Sequence, residues 1–137
     1  MAMTVGLDVS GGDFAPEANV LGAILAQKEL GDRAKICLIG REPDIISILD
    51  RENISRDLFD IVHTDEAIEM GEHPTKAFLK KPNSSVGIGF KMLVEGSLNA
   101  FASTGNSGAM LVGAMYTIRT IPGVIRPCIT SALPVLN

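Results

Sequence analysis

The sequence predicts an α/β protein built on a three-layer, doubly wound and mostly parallel β-sheet. Two observations support this fold class. Short, almost continuously apolar runs are typical of parallel strands that are buried on both faces. These runs alternate with longer segments in which apolar residues recur at helical spacing, as crossover helices require. We expect residues 1–137 to be the N-terminal portion of a single domain, with no internal boundary.

The first half of the chain has the pattern strand, helix, strand, helix, strand. The first strand ends in a Ser-Gly-Gly-Asp turn. The helix after it has Pro16 in its first turn and Gly31 as its stop signal, and Pro43 opens the second helix. The predicted strands cover residues 4–9, 35–39 and 58–62.

The second half begins with an acidic segment, residues 64–74, whose Gly and Pro content predicts a mobile loop. A short helix is expected at 75–81. Ser84 or Ser85 caps the next helix, which ends at Gly96. The remaining predicted elements are a strand at 100–103, a helix at 109–119 and a strand at 128–135.

Charge and hydropathy argue against two classes of protein. Twelve Lys and Arg residues against sixteen Asp and Glu give a net charge of −4, whereas a nucleic-acid-binding domain normally carries a basic stripe. The most apolar stretch, 109–118, is shorter than the ~20 residues of a membrane-spanning helix. Because no basic and apolar leader precedes the first strand, we expect a cytoplasmic protein.

The chain is rich in apolar residues for its length. They make up 46% of the sequence, or about 55% when glycine is counted and tyrosine left out, against ~45–50% in average domains. A small domain buries a limited fraction of its surface, so we expect another subunit or further chain to cover apolar area, and a homodimer as the assembly. Cys37 and Cys128 lie in apolar runs and are predicted to be buried free thiols.

The loop after the fourth strand is the stronger candidate site. Ligands of open α/β sheets collect at the carboxyl ends of the strands, and a small-residue loop at a helix N-terminus offers free N–H groups to an anion. The loop contains no lysine, so it is not a Walker-type phosphate-binding loop. The alternative to an anion site is a purely structural loop that caps a helix and whose glycines let the helix pack on the sheet. The candidate residues are Ser103, Thr104, Gly105, Asn106, Ser107 and Gly108. We expect a large side chain at Gly105 to block the anion without unfolding the protein.

The loop after the first strand is the second candidate. Gly11 and Gly12 let the backbone approach a ligand closely, and Asp8 and Asp13 supply carboxylates at the crevice. Gly-Gly-Asp is also ordinary turn chemistry, so a purely structural role is the alternative.

A histidine and several cations lie together in the middle of the chain. His73 precedes Pro74 and is close in sequence to Lys76, which suits acid–base work or substrate positioning. A solvated loop histidine is the alternative. His63 and His73 with nearby carboxylates match no metal-ligand spacing, so we expect no metal. Arg126 either reaches an anion or is a surface cation.

Four segments, in this order, resemble one protein family. They are 8–16 (Asp-Val-Ser-Gly-Gly-Asp-Phe-Ala-Pro), 69–85 with its Glu-Met-Gly-Glu-His-Pro, Lys-Lys and Asn-Ser-Ser, 103–109 (Ser-Thr-Gly-Asn-Ser-Gly-Ala), and 121–127 with its Ile-Pro-Gly and Arg-Pro. Together they are similar to the PlsX family, the phosphate acyltransferases of bacterial phospholipid synthesis. The chain departs from the family pattern at Val9-Ser10, Ser107 and Ile125.

The resemblance implies a fold like those of phosphotransacetylases and isocitrate or isopropylmalate dehydrogenases. It implies that inorganic phosphate attacks the thioester of a long-chain acyl-acyl carrier protein and forms an acyl phosphate, without a cofactor. Members are more than twice this length, and their second half carries membrane-associating helices. We therefore expect the 137-residue chain alone to be inactive.

The resemblance also suggests roles for the candidate residues. We expect the 103–108 loop to bind phosphate or the developing oxyanion, and Gly11 and Gly12 to permit close approach. Asp8 or Asp13 is expected to order the loops. His73, Lys76 and Asn106 are the candidate catalytic residues, and Arg126 is a candidate anion ligand.

Two other functions fit the sequence. A phosphate acetyl- or butyryltransferase that uses coenzyme A has related chemistry. A non-catalytic N-terminal assembly module would also account for the apolar excess.

Overall fold

The computed structural model describes residues 3–132. It contains a four-stranded, entirely parallel sheet with the strand order β3-β2-β1-β4 and helices on both faces. This arrangement confirms the predicted α/β class. The strands are β1 (Met3–Asp8), β2 (Ala34–Gly40), β3 (Asp60–His63) and β4 (Ala100–Ser103).

Five α-helices connect and follow the strands. None of the helices within residues 3–132 combines the length and apolar character needed to cross a bilayer. The helices are α1 (Glu17–Leu30), α2 (Glu42–Arg51), α3 (Pro74–Lys80), α4 (Ser85–Val94) and α5 (Ser107–Thr117).

The first face of the sheet is covered by α1 and α2. Leu38 of β2 is fully buried there against Val20 of α1 and Leu49 of α2. Alternate residues of a strand point to opposite faces, so Cys37 and Ile39 lie on the other side of β2. They pack there against Leu98, which precedes β4.

The second face is covered by α4, and α3 and α5 extend this helical layer. Phe90 of α4 stacks edge-on against Phe101 of β4, with ring centroids 5.4 Å apart. A Cβ atom at Gly113 of α5 would collide with the Phe90 ring. The absence of a side chain there lets α5 pack closely on α4.

The element boundaries differ from the predictions mainly at two positions. The third strand begins at Asp60 rather than residue 58, because Arg56–Leu58 form a 3-10 turn that leaves Leu58 exposed and turns Phe59 into the core. Helix α5 begins at Ser107 and ends at Thr117, two residues earlier at each end than predicted. Asn106 caps this helix, so it starts within the predicted loop.

The predicted strand at 128–135 is wrong for its described part. Residues 128–132 are irregular and exposed, and residues 133–135 lie outside the described range. The prediction that both thiols are buried holds for Cys37 and is wrong for Cys128. Cys128 follows the end of α5 in a segment without regular secondary structure, where no strand partner covers it.

Candidate functional site

The candidate site lies at the carboxyl edge of the sheet between β1 and β4. From β1 the chain continues to β2 on one side, whereas β4 lies on the other side of β1, so the strand order reverses between β1 and β4. Ligands of open α/β sheets bind at such a switch point. The register pairs Asp8 with Ser103, and the Ser103 hydroxyl donates a 2.8 Å hydrogen bond to the Asp8 carboxylate. The two candidate loops therefore meet.

Asp8 is the buried anchor of both loops, with 1% of its surface exposed. Its Oδ1 accepts hydrogen bonds from the backbone N–H groups of Ser10, at 2.9 Å, and Gly11, at 3.1 Å. Its Oδ2 accepts the Ser103 hydroxyl, and the same hydroxyl accepts the N–H of Gly105 at 3.0 Å. A carboxylate with several donors around it holds the loops in place, which supports the loop-ordering role expected of Asp8.

The glycines of the two loops pack against each other. A Cβ atom on Gly11 would lie 2.8 Å from the Gly105 Cα, and one on Gly105 would lie 2.9 Å from the Gly11 Cα. Gly12 has a φ of +101°, in the region that favours glycine. A side chain at Gly105 would therefore push the two loops apart; that such a variant stays folded and loses the anion remains a prediction. Close packing is the observed role of these glycines.

Thr104 and Asn19 fasten the loops at a second point, and sequence reasoning missed Asn19. The Thr104 hydroxyl lies 3.0 Å from the Gly11 carbonyl oxygen and 2.9 Å from the Asn19 Oδ1. The Asn19 amide donates to the backbone carbonyls of Gly11, at 2.7 Å, and of Val9, at 3.2 Å. Its only sequence signal is an amide in the first turn of α1, directly before an apolar run.

Asn106 is the residue before α5, and its side chain binds the segment 69–72. Its Oδ1 accepts the N–H of Ala109 at 3.0 Å, as an N-cap residue does. Its amide donates to the carbonyls of Glu69, Met70 and Glu72 at 3.1–3.3 Å. Both ends of the Asn106 side chain are therefore engaged within the protein. In this geometry the side chain joins the start of α5 to the segment 69–72, and the catalytic role of Asn106 stays a prediction.

The N-terminus of α5 directly follows the turn that begins at Ser103, and it carries two kinds of donor. The first N–H groups of a helix have no intrahelical partner, and the helix dipole adds positive potential there. Ser107 is exposed at the first position, and Gly108 at the second packs on the Pro74 ring. The site can therefore offer backbone N–H groups and the Ser107 hydroxyl to an anion.

The acidic segment 64–74, which connects β3 to α3, is held in place by an ion pair. We call it the acidic loop. The Lys81 ammonium lies 2.7 Å from the Glu72 carboxylate and donates to the Ala67 carbonyl at 2.8 Å. Two hydrogen bonds lower the pKa of Glu72 below its usual range. The larger effect comes from the Lys81 ammonium, and the second comes from the backbone N–H of Glu69. Glu72 is therefore ionised and neutralised locally at neutral pH.

His73 and Lys76 lie at the start of α3, close to the N-terminus of α5. His73 is the N-cap residue of α3 and is exposed, between Glu72, whose carbonyl Asn106 binds, and Pro74, which contacts Gly108. Lys76 is exposed in the first turn of α3. The fold thus brings His73 to the α5 N-terminus and leaves Lys76 about one turn away.

Two predicted residues do not join this cluster. Asp13 is exposed at the same edge of the sheet, and within residues 3–132 its side chain makes no hydrogen bond. Arg126 follows the carboxyl end of α5, with Met115 and Ile118. The helix between has eleven residues, about 16 Å at 1.5 Å per residue. In the described part of the chain, no three His, Cys, Asp or Glu residues are grouped as metal ligands would be.

Comparison with known proteins identifies the family. Residues 3–137 match the family described as fatty acid synthesis protein. The phosphate acyltransferases of Herpetosiphon aurantiacus, Acetivibrio thermocellus and Endomicrobium trichonymphae are 42%, 41% and 39% identical to this chain, over 96–98% of its length. The chain spans 36–40% of the length of these relatives. The residue patterns, the fold and these matches together place the chain in the phosphate acyltransferase (PlsX) family.

Proposed function

We propose that the protein containing this chain is a phosphate acyltransferase that forms acyl phosphate from inorganic phosphate and a long-chain acyl-acyl carrier protein. The product would feed bacterial phospholipid synthesis. The names of the relatives support the general reaction, and the resemblance described above supports the carrier-protein substrate. We place the protein in the cytoplasm as a homodimer. Segments of the acyltransferase domain outside this chain would mediate association with the membrane surface.

The observation that carries this proposal is the N-terminus of α5, which directly follows the loop that Asp8 and Ser103 hold in place. Preorganised N–H donors position phosphate for attack or stabilise negative charge that develops on the thioester oxygen. The Ser107 hydroxyl and the N–H groups of Ser107 and Gly108 are the proposed ligands. Ser103, Thr104 and the glycines Gly11, Gly12 and Gly105 shape this site through their contacts with Asp8 and with one another. Asn106 shapes it through its bonds to the acidic loop.

His73 is the proposed proton-handling residue, because it is exposed beside these donors and because an imidazole nitrogen can accept and return a proton. Lys76 would attract the phosphate from the first turn of α3. Asp13 is proposed to contact substrate at the edge of the crevice, since its carboxylate is exposed there. Arg126 lies beyond the carboxyl end of α5. It would contact the phosphate only if another part of the protein moved it toward the N-terminus of that helix.

The test introduces a negative charge where phosphate should bind. Ser107→Asp places a carboxylate at the first position of α5, where it favours the helix through the dipole and repels phosphate. We expect an unchanged or higher melting temperature together with a KM for phosphate raised about tenfold or more, a loss of about 1.4 kcal/mol in binding. Acyl phosphate formation would be measured as its hydroxamate with the protein that contains this chain.

Ser107→Asn is the matched control, because it changes the size of the side chain without adding charge. An unchanged KM for phosphate in Ser107→Asp would reject the α5 N-terminus as the phosphate site. A preference of the unaltered protein for acyl-coenzyme A over acyl-acyl carrier protein would reject the proposed substrate and favour the coenzyme A enzyme. Absence of turnover with both thioesters would favour a non-catalytic module.

A further inference from the structure

Charge is distributed very unevenly along the chain. Residues 1–72 hold fifteen acidic and six basic residues, a net charge of −9, whereas residues 73–137 hold one acidic and six basic residues, a net charge of +5. A whole-chain charge of −4 conceals this separation. An uneven charge distribution of this size steers a charged partner toward one part of a protein.

The fold turns this asymmetry into a basic helical layer. Helices α3, α4 and α5 pack together on one side of the sheet, and none of the three contains an acidic residue. Their lysines, Lys76, Lys80 and Lys91, are exposed and form no ion pair with residues 3–132. In the acidic part, by contrast, Lys35 and Arg51 are paired with carboxylates.

Helix α3 presents the most clearly organised part of this layer. His73, Lys76 and Lys80 recur at spacings of three and four residues, so they share one face of the helix. Leu79 lies beside them with 61% of its surface exposed. The nearest acidic residue along the chain, Glu72, is bound by Lys81 and cannot neutralise this face.

We propose that the outward face of α3, formed by His73, Lys76, Leu79 and Lys80, docks an acidic surface of the acyl carrier protein. This inference rests on the proposed function, which supplies the carrier as partner. Charge complementarity with the lysines would guide the encounter, and Leu79 would fill an apolar pocket at the centre of the contact. A carrier bound here would sit beside the α5 N-terminus, because Pro74 at the start of α3 contacts Gly108.

A protein partner fits this face better than a membrane does. Binding in the plane of a bilayer requires a helix with a broad apolar face. Helix α3 has seven residues, and Leu79 is its one strongly exposed apolar side chain. A single exposed leucine offers too little apolar surface to enter a bilayer, whereas a protein surface of complementary charge can contact the leucine and the lysines together.

The test measures carrier binding without phosphate and without turnover. Titration of holo-acyl carrier protein into the protein by calorimetry would compare the unaltered form with Lys80→Glu and Leu79→Ser. We expect each variant to raise Kd about tenfold, and we expect the affinity of the unaltered form to fall with added salt. Lys28→Glu is the matched control, because Lys28 is an exposed lysine on α1, outside the basic layer. It should leave Kd unchanged.

Leu79→Ser adds no charge and replaces an exposed side chain, so it tests the contact even if Lys80→Glu loosens the last turn of α3. Equal affinities for all four proteins, or no carrier binding by the unaltered protein, would overturn the docking surface. Binding to phosphatidylglycerol vesicles that Lys80→Glu abolishes, without carrier binding, would assign the face to lipid instead. Turnover and the Ser107→Asp effect are measured separately, so the proposed function can fail or stand independently of this surface.

Discussion

Asp8 and Asp13 lie five residues apart in one turn and have different surroundings. Asp8 is buried and accepts hydrogen bonds from two backbone N–H groups and the Ser103 hydroxyl. Asp13 is exposed at the same edge. Both were predicted to be site residues, and the structure distinguishes them by burial. Asp8 holds the two loops in place from inside the protein, whereas Asp13 is open to solvent.

Replacing Asp8 should therefore lower stability. In Asp8→Asn, an NH2 group replaces an acceptor oxygen and would face the donors of Ser10 and Gly11, or of Ser103. We expect the free energy of unfolding in urea to fall by about 1–3 kcal/mol. Asp13→Asn is the control and should change it by less than about 0.5 kcal/mol, because the side chain is exposed. Equal effects of the two substitutions would contradict the anchoring role.

The two thiols should differ in reactivity for the same reason. Burial, and next the charge of Asp60, raise the pKa of Cys37 to about 11, whereas Cys128 is exposed. A thiol reagent at pH 8 should modify one thiol per chain rapidly, and peptide mapping should identify Cys128. Cys37 should react only as the protein unfolds. Two rapidly reacting thiols would contradict the described core.

The raised pKa of Cys37 also sets the direction of a pH effect. Its contribution to stability is fully present below the thiol pKa of the unfolded chain, about 8.5. It is lost as pH rises from there toward 11, because only the unfolded chain releases the proton in that interval.

At the scale of elements, the acidic loop between β3 and α3 differs most from its expected behaviour. Its composition predicts a mobile segment, but Ile68 is buried with 5% of its surface exposed, and the Asn106 amide binds three of its carbonyls. Lys81 holds its far end through Glu72. These contacts revise the expectation, because a loop held at three points exchanges its amide hydrogens slowly.

Acid should release this loop through Glu72. The lowered pKa of Glu72 means that its ion pair stabilises the native state above the unfolded pKa of about 4.5. The contribution is lost as pH falls through the lower native value. We expect Glu72→Gln to be less stable than the unaltered protein at pH 7, and the difference to shrink below pH 4.5. Thermal unfolding across this range would measure it, and a difference independent of pH would contradict the ion pair.

At the scale of the whole molecule, the described chain leaves apolar surface uncovered. Within residues 3–132, β4 has a neighbouring strand on one side only. A groove beside it, between α1 and the sheet, is lined by Val5, Leu7, Gly22 and Ala102. Beyond α5, Ile125 has 93% of its surface exposed. Open parallel edges and apolar grooves favour association in water.

We therefore expect the isolated 137-residue chain to associate with itself and to be inactive. The reasons are the uncovered surface and the 36–40% of the relatives' length that the chain spans. Light scattering at micromolar concentration should report a mass above 14.5 kDa, and no acyl phosphate should form. A monodisperse monomer that makes acyl phosphate would refute both halves of this prediction.

The sequence by itself determined the α/β class, the two candidate loops and the cap of α4. These features are local: the apolar period, the glycine turns and Ser84 at a helix start are all visible within a few residues. The strand prediction is wrong at residues 128–132 for the same reason, because a run such as this becomes a strand only where a partner strand accepts it.

Only the tertiary structure decided which residues meet. Placement of β4 beside β1 joins Asp8 to Ser103 across 95 positions of sequence and sets Gly11 against Gly105. It also gives Asn106 its three carbonyl partners in the acidic loop. Strand order and loop packing depend on the free energy of the whole core, and no local pattern contains that information. The role of each site residue follows from those distant contacts.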